Sequence, residues 1–263
     1  MRLRTLTALV ALAIFIPLLV MGGSAFELLV IAIAGITLFE LLSLLAVNFF
    51  TLESFFAYLL MYLALLPQHY LDFLPEQLDQ MTLFYTGVVI FLSLMVHRPE
   101  RLDFSLIAKI TLAALYVGRG YHFLILGREM GLLAILFVLV IIWSNDTFAY
   151  LTGRAIGRRP LAPAISPNKT IEGSIGGIVG AFLVSLIFDY FFNIYQLSFL
   201  GNLILVILLC LAGQMGDLVE SSIKRQYHVK DSGKLLPGHG GFLDRFDNIL
   251  FVLPIFYFLM AFF

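Results

Sequence analysis

The amino-acid sequence predicts an all-α integral membrane protein, a polytopic bundle of about nine transmembrane helices. Hydrophobic residues make up 61% of the 263-residue chain, against roughly 45–50% in soluble domains. Charged residues make up only 13%, about half of the usual share of about 25%. The apolar residues also form long continuous runs of the length that a membrane helix needs. This composition excludes a soluble globular enzyme, and it excludes a disordered chain, which would require low hydrophobicity.

Nine apolar runs follow one another along the chain, and each is expected to form one helix. None alternates between apolar and polar residues, so the strands of a membrane barrel are not expected. The third and fifth runs are short, which makes their ends uncertain by several residues. In order, the runs cover residues 6–21, 26–47, 54–66, 78–96, 104–117, 132–150, 171–191, 202–219 and 248–263.

The first run allows a second interpretation. Arg2 and Arg4 precede it, and Gly23-Ser24-Ala25 follow it, as in a secretory signal peptide with a small-residue cleavage site. The next long apolar run begins at once at Phe26. This continuity favours a retained first helix.

The orientation follows from the distribution of Lys and Arg, which concentrate on the cytoplasmic side of membrane proteins. If the N-terminus and the even-numbered loops are cytoplasmic, fourteen of the sixteen basic residues lie on that side, and only Arg119 and Arg128 lie on the other. We therefore expect a multi-pass protein of the cell (inner or plasma) membrane, with a cytoplasmic N-terminus and an outer C-terminus.

Polar residues are distributed unevenly between the two halves. In the first half, Glu27 and Glu40 interrupt the second run, and a buried structural role is as plausible for them as a functional one. From Trp143 onward, polar residues cluster. We therefore expect residues 1–130 to form a scaffold with lipid or oligomer contacts, and residues 131–263 to carry the chemistry. The single cysteine, Cys210, lies in an apolar run and is expected to pack there.

The first polar cluster closes the sixth run. Asn145 and Asp146 directly follow apolar residues, and Asp146 and Tyr150 share one helix face because they are four residues apart. A helix end that reaches interfacial water, with Trp143 and Tyr150 as interface aromatics, explains the same pattern. The sequence leaves both interpretations open.

The second cluster is the segment S-P-N-K-T-I-E-G, residues 166–173. It resembles a rigid turn that enters the seventh helix and places Ser166, Asn168 and Lys169 at the helix N-terminus. Such an end binds anions through free backbone N–H groups and the helix dipole. Four glycines then allow this helix to pack closely on a neighbour: Gly173, Gly176, Gly177 and Gly180.

The third cluster is a polar stripe on the eighth helix. At 100° per residue its members occupy one face, and Gln214 extends this face back into the apolar run. A polar stripe that starts inside a membrane cannot face lipid, so it must face the bundle interior or a water-filled cavity. The members are Asp217, Glu220, Ser221, Lys224, Arg225 and His228.

The fourth cluster is P-G-H-G-G-F-L-D-R-F-D, residues 237–247, before the last run. Its glycines allow the backbone to approach a phosphate. Asp244, Asp247 and Asn248 have helical spacing, so one helix would direct two carboxylates the same way. Carboxylates beside Lys and Arg indicate Mg²⁺ bound together with phosphates. A zinc site fits poorly, because His228 and His239 lack partners at ligand spacing.

The stretch from Ser221 to Asp247 resembles the signature of phosphatidate cytidylyltransferases, also called CDP-diglyceride synthetases. The segments S-P-N-K-T-I-E-G and N-D-T-F-A-Y resemble the same family. The signature positions that match are Ser221, Lys224, Arg225, Lys230, Asp231, Gly233, Pro237, His239, Gly240, Gly241, Asp244, Arg245 and Asp247.

The resemblance implies transfer of CMP from CTP to phosphatidic acid, with CDP-diacylglycerol and pyrophosphate as products of this step in phospholipid biosynthesis. Its partners would be CTP, phosphatidic acid and membrane lipids, without nucleic acid. Its cofactor would be Mg²⁺, and a second metal ion and a homodimer are both compatible with it.

Three sets of site residues follow from the clusters and the resemblance together. The expected catalytic residues are Asp217, Lys224, Arg225, Asp244, Arg245 and Asp247. The expected metal ligands among them are Asp217, Asp244 and Asp247. The expected substrate-binding residues are Asn145, Asp146, Ser166, Asn168, Lys169, Thr170, Glu172, Glu220, Ser221, Lys230, Asp231, His239, Gly240 and Gly241.

Other functions compete with this interpretation. A CTP-dependent lipid-alcohol kinase is chemically related, but its acceptor would need a base to deprotonate it. A transporter would also carry intramembrane charges, yet here they are confined to the cytoplasmic ends of the last four runs. A CDP-alcohol phosphatidyltransferase would show D-G-x-x-A-R, which is absent. A structural lipid-binding protein would not need the paired Asp and Lys-Arg clusters.

Overall fold

The computed structural model describes residues 2–75, 78–194, 198–233, 235 and 240–262. Over these residues the chain forms nine α-helices, one 3₁₀ turn at Gln68–Tyr70 and one two-stranded hairpin. The elements are α1 (Arg2–Met21), α2 (Gly23–Leu44), α3 (Leu52–Leu65), α4 (Gln80–His97), α5 (Phe104–Glu129), α6 (Leu132–Ile156), β1 (Pro160–Ala162), β2 (Ser166–Thr170), α7 (Ile171–Phe192), α8 (Phe199–Gln226) and α9 (Leu243–Met260).

The helices confirm the all-α prediction, and each predicted run corresponds to one of the described helices. Six of them are long and apolar enough to cross a membrane: α2, α4, α5, α6, α7 and α8. The count of about nine spans is not confirmed. Helix α3 has 14 residues, which span about 21 Å of a hydrocarbon core of about 30 Å. The apolar part of α1 is only Leu9–Met21, and α9 begins with the charged residues Asp244, Arg245 and Asp247.

Several helices extend beyond their predicted ends. Helix α5 continues to Glu129, so Arg119 and Arg128 belong to this helix. Helix α8 ends at Gln226, so His228 lies beyond it in a left-handed backbone conformation with φ 56°. A charged residue ends an apolar run but does not break backbone hydrogen bonds, which explains most of these differences.

The hairpin between α6 and α7 was not expected. Strand β1 pairs antiparallel with β2, with Pro160 opposite Thr170 and Ala162 opposite Ser166. The hairpin lies in a loop outside the apolar runs, for which barrel strands were not expected. The pairing occupies the backbone hydrogen-bonding groups of a segment that has no apolar periodicity and is too short for a helix.

The chain divides into two compact units. The first contains the residues up to Ile125 and the described part of Asp231–Leu243, and the second contains Leu126–Lys230 and the residues from Asp244 onward. The predicted functional division at residues 130/131 stays a prediction. The new feature is that the described part of Asp231–Leu243 belongs with the N-terminal helices.

The first unit is held by close packing among its helices. The rings of Phe56 and Phe91 stack with centroids 4.9 Å apart. A Cβ atom at Gly118 would lie 2.6 Å from the carbonyl oxygen of Met61, so α5 approaches α3 at this glycine. The Thr37 and Tyr121 hydroxyls, both buried, form a hydrogen bond of 2.8 Å. Apolar packing and buried hydrogen bonds therefore connect α2, α3, α4 and α5.

The second unit is organised around the pair α6 and α7. A Cβ atom at Gly173 would lie 2.8 Å from the carbonyl oxygen of Ala149, and one at Gly177 would lie 2.8 Å from that of Asn145. Cβ atoms at Gly176 and Gly180 would clash with Thr152 and Phe148, respectively, which also lie on α6. The prediction that these four glycines permit close packing on a neighbouring helix is confirmed, and the neighbour is α6.

Candidate active site

A cavity of about 580 Å³ lies within the second unit, between α6, the hairpin, α7 and α8. Its size falls in the range of pockets for small ligands. Polar side chains line it at the end of the helices where the hairpin lies. The lining residues are Asn145, Asp146, Ala149, Tyr150, Gly153, Arg154, Leu161, Asn168, Lys169, Thr170, Gly173, Ser174, Gln214 and Asp217.

Gln214 connects the three helices around the cavity. Its Nε2 donates to Asn145 Oδ1 on α6 at 3.0 Å and to the Ser174 carbonyl oxygen on α7 at 3.3 Å. The Ser174 hydroxyl donates in turn to Gln214 Oε1. This network holds the amides of Asn145 and Gln214 in defined orientations against the cavity. Gln214 extended the predicted stripe, whereas nothing in the sequence marked Ser174.

Asp217 begins the polar stripe of α8 and forms an ion pair with Lys169 of β2. The Ser221 hydroxyl, one turn further along α8, donates to Asp217 Oδ1 at 3.3 Å. Lys169 is positioned by the hairpin and by the start of α7, where the Thr170 hydroxyl accepts the Gly173 N–H at 3.0 Å. The structure therefore brings together two residues that the sequence assigned to separate clusters.

Asp146 lies across the cavity on α6. It accepts hydrogen bonds from the side-chain amides of Asn145 at 3.3 Å and Asn248 at 2.9 Å. Asp146, Asp217 and Asp247 are close enough for direct electrostatic interaction, and Lys169 and Lys224 act on this group as nearby cations. Three carboxylates from α6, α8 and α9 thus share one region.

Lys224 joins α8 to α9. Its ammonium forms one ion pair with Glu220, a turn earlier on α8, and another with Asp244 at 2.6 Å. The three side chains are only 14%, 2% and 7% exposed, in the order Lys224, Glu220 and Asp244. The second carboxylate oxygen of Glu220, Oε1, is buried and has no hydrogen-bond partner among the described residues. Glu220 and Lys224 of the predicted stripe therefore face the interior, whereas Arg225 and His228 are exposed.

The carboxylates have the donor type that Mg²⁺ takes, which is hard oxygen from a few acidic side chains. In the described part of the chain, no three His, Cys, Asp or Glu side chains are already grouped as a metal site. Of the predicted ligands, Asp217 is paired with Lys169 and Asp244 with Lys224. The donor chemistry therefore fits Mg²⁺, although lysines now occupy two of the carboxylates.

Glu172 and Arg225 contact the loop around the hairpin. Glu172 accepts the backbone N–H groups of Arg158 at 3.1 Å and Arg159 at 3.2 Å, and it also pairs with the Arg159 guanidinium. Arg225 Nε donates to the Ile165 carbonyl oxygen at 3.3 Å. Both side chains hold the loop in place, and their predicted contact with substrate stays a prediction.

Arg154 is a cavity residue that the sequence interpretation missed. In the sequence it counted only among the basic residues of the cytoplasmic side, yet α6 continues to Ile156, so Arg154 lies inside the helix. Its guanidinium donates to the Tyr150 hydroxyl at 3.5 Å. The signal was present, since Asp146, Tyr150 and Arg154 are spaced four residues apart and share one helix face.

The remaining predicted residues lie elsewhere. Ser166 is partly exposed on β2 and does not line the cavity, while Arg245 is exposed on the first turn of α9 and Lys230 follows α8. Asp231, Gly240 and Gly241 belong to the first unit. His239 lies outside the described residues, as do Pro237 and Gly238.

Comparison with known proteins identifies the family. The model of the cytidylyltransferase family matches residues 2–263. A phosphatidate cytidylyltransferase of Bacillus subtilis (strain 168) is 40% identical over 266 residues, covering 100% of this chain and 98% of the relative. Phosphatidate cytidylyltransferases of Staphylococcus epidermidis (strain ATCC 12228) and Staphylococcus aureus (strain COL) are 42% and 41% identical, covering 97% of both chains in each comparison. With this match over its whole length, the chain belongs to the cytidylyltransferase family.

Proposed function

We propose that this protein transfers CMP from CTP to phosphatidic acid and releases pyrophosphate, forming CDP-diacylglycerol for phospholipid biosynthesis. The observation that carries the proposal is the polar cavity in which Lys169 and Asp217 pair beside Asp146. It occurs in a chain about 40% identical, along its whole length, to enzymes named phosphatidate cytidylyltransferase.

The reaction joins a phosphate oxygen of phosphatidic acid to the α-phosphorus of CTP, and the bond from that phosphorus to the β-phosphate oxygen breaks. The attacking oxygen is already anionic, so a strong general base is unnecessary. The barrier comes from bringing two anions together and from charge that develops on the leaving pyrophosphate. Cations positioned in advance lower this barrier most effectively.

The cations of the second unit are suited to that task. Lys169 and Arg154 line the cavity directly. We assign these groups to the phosphates of CTP. Lys224, Arg225 and Arg245, with the hydroxyls of Ser166 and Ser221, serve the remaining anionic oxygens in this proposal.

Mg²⁺ is the proposed cofactor, and Asp217, Asp244 and Asp247 would hold it, with Asp146 nearby. Bound there, the ion would neutralise phosphate charge and stabilise the leaving pyrophosphate. A second metal ion fits the same proposal, because the carboxylates outnumber the one or two that a single Mg²⁺ usually takes.

The lipid substrate requires access from the membrane. An apolar groove of about 490 Å³ runs along α6 and α7, lined among others by Phe148, Ile156, Ile175, Val179 and Leu183. The groove and the cavity occupy different faces of the same two helices. Acyl chains in the groove would therefore stay in lipid near the polar end of the bundle.

The proposed topology places the active site in the cytoplasm, where CTP is available. With about nine crossings of the cell membrane, the N-terminus lies inside and the C-terminus outside, as the distribution of basic residues favours. The side chains of α4 are largely exposed. This helix is suited to lipid contact or to a homodimer.

The test uses purified protein in phosphatidic-acid vesicles with Mg²⁺ and CTP labelled at either the α- or the γ-phosphate. The proposal expects the α-label in the lipid product and the γ-label in pyrophosphate. Transfer of the γ-label to an added lipid alcohol would instead show a kinase. Passage of intact nucleotide into sealed vesicles without lipid product would show a transporter.

A further inference from the structure

Glu40 is a buried carboxylate on α2, and it accepts hydrogen bonds from described residues of the segment Asp231–Leu243. It is 2% exposed on α2. Its Oε1 accepts the backbone N–H of Phe242 at 3.0 Å, and its Oε2 accepts the backbone N–H of Leu243 at 3.0 Å. The Ser232 hydroxyl also donates to Oε2, at 3.2 Å. One side chain of the first unit thus binds three groups of the signature segment.

Two signature glycines form the walls around this carboxylate. A Cβ atom at Gly233 would lie 2.7 Å from Glu40 Cδ, and one at Gly241 would lie 2.5 Å from the same atom. Neither distance leaves room for a side chain. These glycines are therefore required here by the carboxylate of Glu40, which differs from the phosphate-binding role that the sequence suggested for Gly241.

The two N–H groups that Glu40 accepts belong to the start of α9. The first N–H groups of a helix have no partner within the helix, and a negative charge next to them is favourable. Helix α9 begins at Leu243, so Glu40 caps it from another helix. These two bonds stabilise a helix start at Leu243.

The start of α9 determines where its acidic residues point. Asp244 follows Leu243 directly, and Asp247 follows one turn later. A shift of the helix start by one residue would rotate both side chains by about 100°. We infer that Glu40 is a positioning residue for the reaction, because it fixes the start of α9 and with it the direction of Asp244 and Asp247. The catalytic part of this inference rests on the proposed function, whereas the capping part does not.

Glu27 provides a matched control on the same helix. It is also buried, but it accepts the Tyr70 hydroxyl at 2.7 Å and lies 3.3 Å from His69 Nε2. Its partners are in the 3₁₀ turn and not in the signature segment. A general effect of losing a buried carboxylate from α2 would therefore appear equally in both variants.

The experiment compares Glu40→Gln with Glu27→Gln in vesicles. The glutamine keeps the size of Glu40, but its NH₂ group would face an N–H donor at one of the two positions. We expect kcat to fall about 10- to 100-fold for Glu40→Gln, as for other residues that orient the side chains of a site without contacting the ligand. The KM for CTP should change little, and Glu27→Gln should stay within about twofold of the wild type.

Hydrogen exchange gives a readout that does not depend on activity. The amides of Phe242 and Leu243 should lose protection in Glu40→Gln and keep it in Glu27→Gln. Equal protection in the two variants would overturn the inference. An inactive wild type with the expected exchange pattern would overturn the proposed function and leave Glu40 as the cap of α9.

A second pair of variants covers the case in which Glu40→Gln does not accumulate in the membrane. Gly241→Ala adds a methyl group against the Glu40 carboxylate and should lower kcat. Shortening the acid in Glu40→Asp/Gly241→Ala should restore part of that loss, because the two side chains share one space. A double variant no more active than Gly241→Ala would contradict the inference.

Discussion

The two units both bury carboxylates among apolar helices, but they do so differently. In the first unit two buried acids have separate donors: Glu27 accepts the Tyr70 hydroxyl, and Glu40 accepts backbone N–H groups. In the second unit the acids cluster, and they share lysines, so that Lys224 serves both Glu220 and Asp244. Separately bound acids stabilise one arrangement of the chain. Clustered acids with shared cations leave charge that a ligand can redistribute, which is expected of a catalytic site.

The sharpest test of this contrast is to neutralise one acid from each unit. Asp217→Asn removes a proposed metal ligand and the partner of Lys169, and we expect turnover to fall on the order of 1000-fold. Asp244→Asn should have a similar effect. The measurement is CDP-diacylglycerol formation at saturating CTP and Mg²⁺, with the amount of folded protein in the membrane as the control.

Glu27→Gln serves as the comparison from the first unit and should stay within about twofold of the wild type. Near-normal activity of both Asp variants would remove the assignment of these acids to the reaction. It would also remove the contrast between the two units.

The next test concerns cations inside and outside the cavity. Lys169→Ala removes a cavity charge, and we expect kcat/KM for CTP to fall about 100-fold. Arg159→Ala removes an exposed charge whose partner is Glu172, and it should change kcat/KM by less than about fivefold. Equal effects would mean that Lys169 acts only through the general positive charge of the loop.

A smaller effect is expected where helix packing supports the site. Gly177→Ala would place a methyl group 2.7 Å from Asn145 Oδ1, which should lower the free energy of unfolding by about 1–3 kcal/mol. Ile175→Ala, at a position that is 57% exposed on the same helix, should be nearly neutral. Thermal unfolding in detergent measures both, and equal melting temperatures would show that α6 and α7 are not limited by these glycines.

A still smaller effect involves Asp79, which caps α4 in the first unit by accepting the Thr82 N–H at 2.8 Å. Hydrogen bonding from the Thr82 side chain, together with this bond from the Thr82 backbone N–H, lowers the pKa of the Asp79 carboxyl. A lowered folded-state pKa contributes stability above the unfolded value of about 4, and that stability is lost as pH falls below it. Asp79→Asn keeps the cap without the charge, so the melting temperature of this variant should depend less on pH in that range. Identical pH profiles would exclude this contribution.

The last test asks on which side of the membrane the two ends of α8 lie. Its variants should leave activity unchanged. Cysteines at Ser198, before α8, and at Leu235, which is 52% exposed, would be placed singly in a Cys210→Ser background. In intact cells a membrane-impermeant thiol reagent should label position 198 and leave 235 unlabelled. Labelling of 235 from outside would invert the proposed topology and place the cavity away from CTP.

The short-range features of this protein were predictable from its sequence. Continuous apolar runs predicted the helices, and the spacing of Asp217 and Lys224 predicted a polar face, because helix formation and helix periodicity depend on neighbouring residues. The glycines of α7 indicated close packing in the same way. The sequence alone did not predict the hairpin or the true ends of α5, α6 and α8. These features are also local, but they depend on backbone hydrogen bonding, which the apolar runs do not indicate.

By itself, then, the sequence determined the helical class, the family and the residues that carry charge. The tertiary structure alone decided which of those charges meet. Lys169 and Asp217 are 48 residues apart, and Glu40 and Phe242 are 202 residues apart. No periodicity connects positions so distant, because their contact depends on how helices pack and not on the conformation of any one segment. For that reason Glu40, ambiguous in the sequence, acquires a definite role only through the two N–H groups it binds in the folded chain.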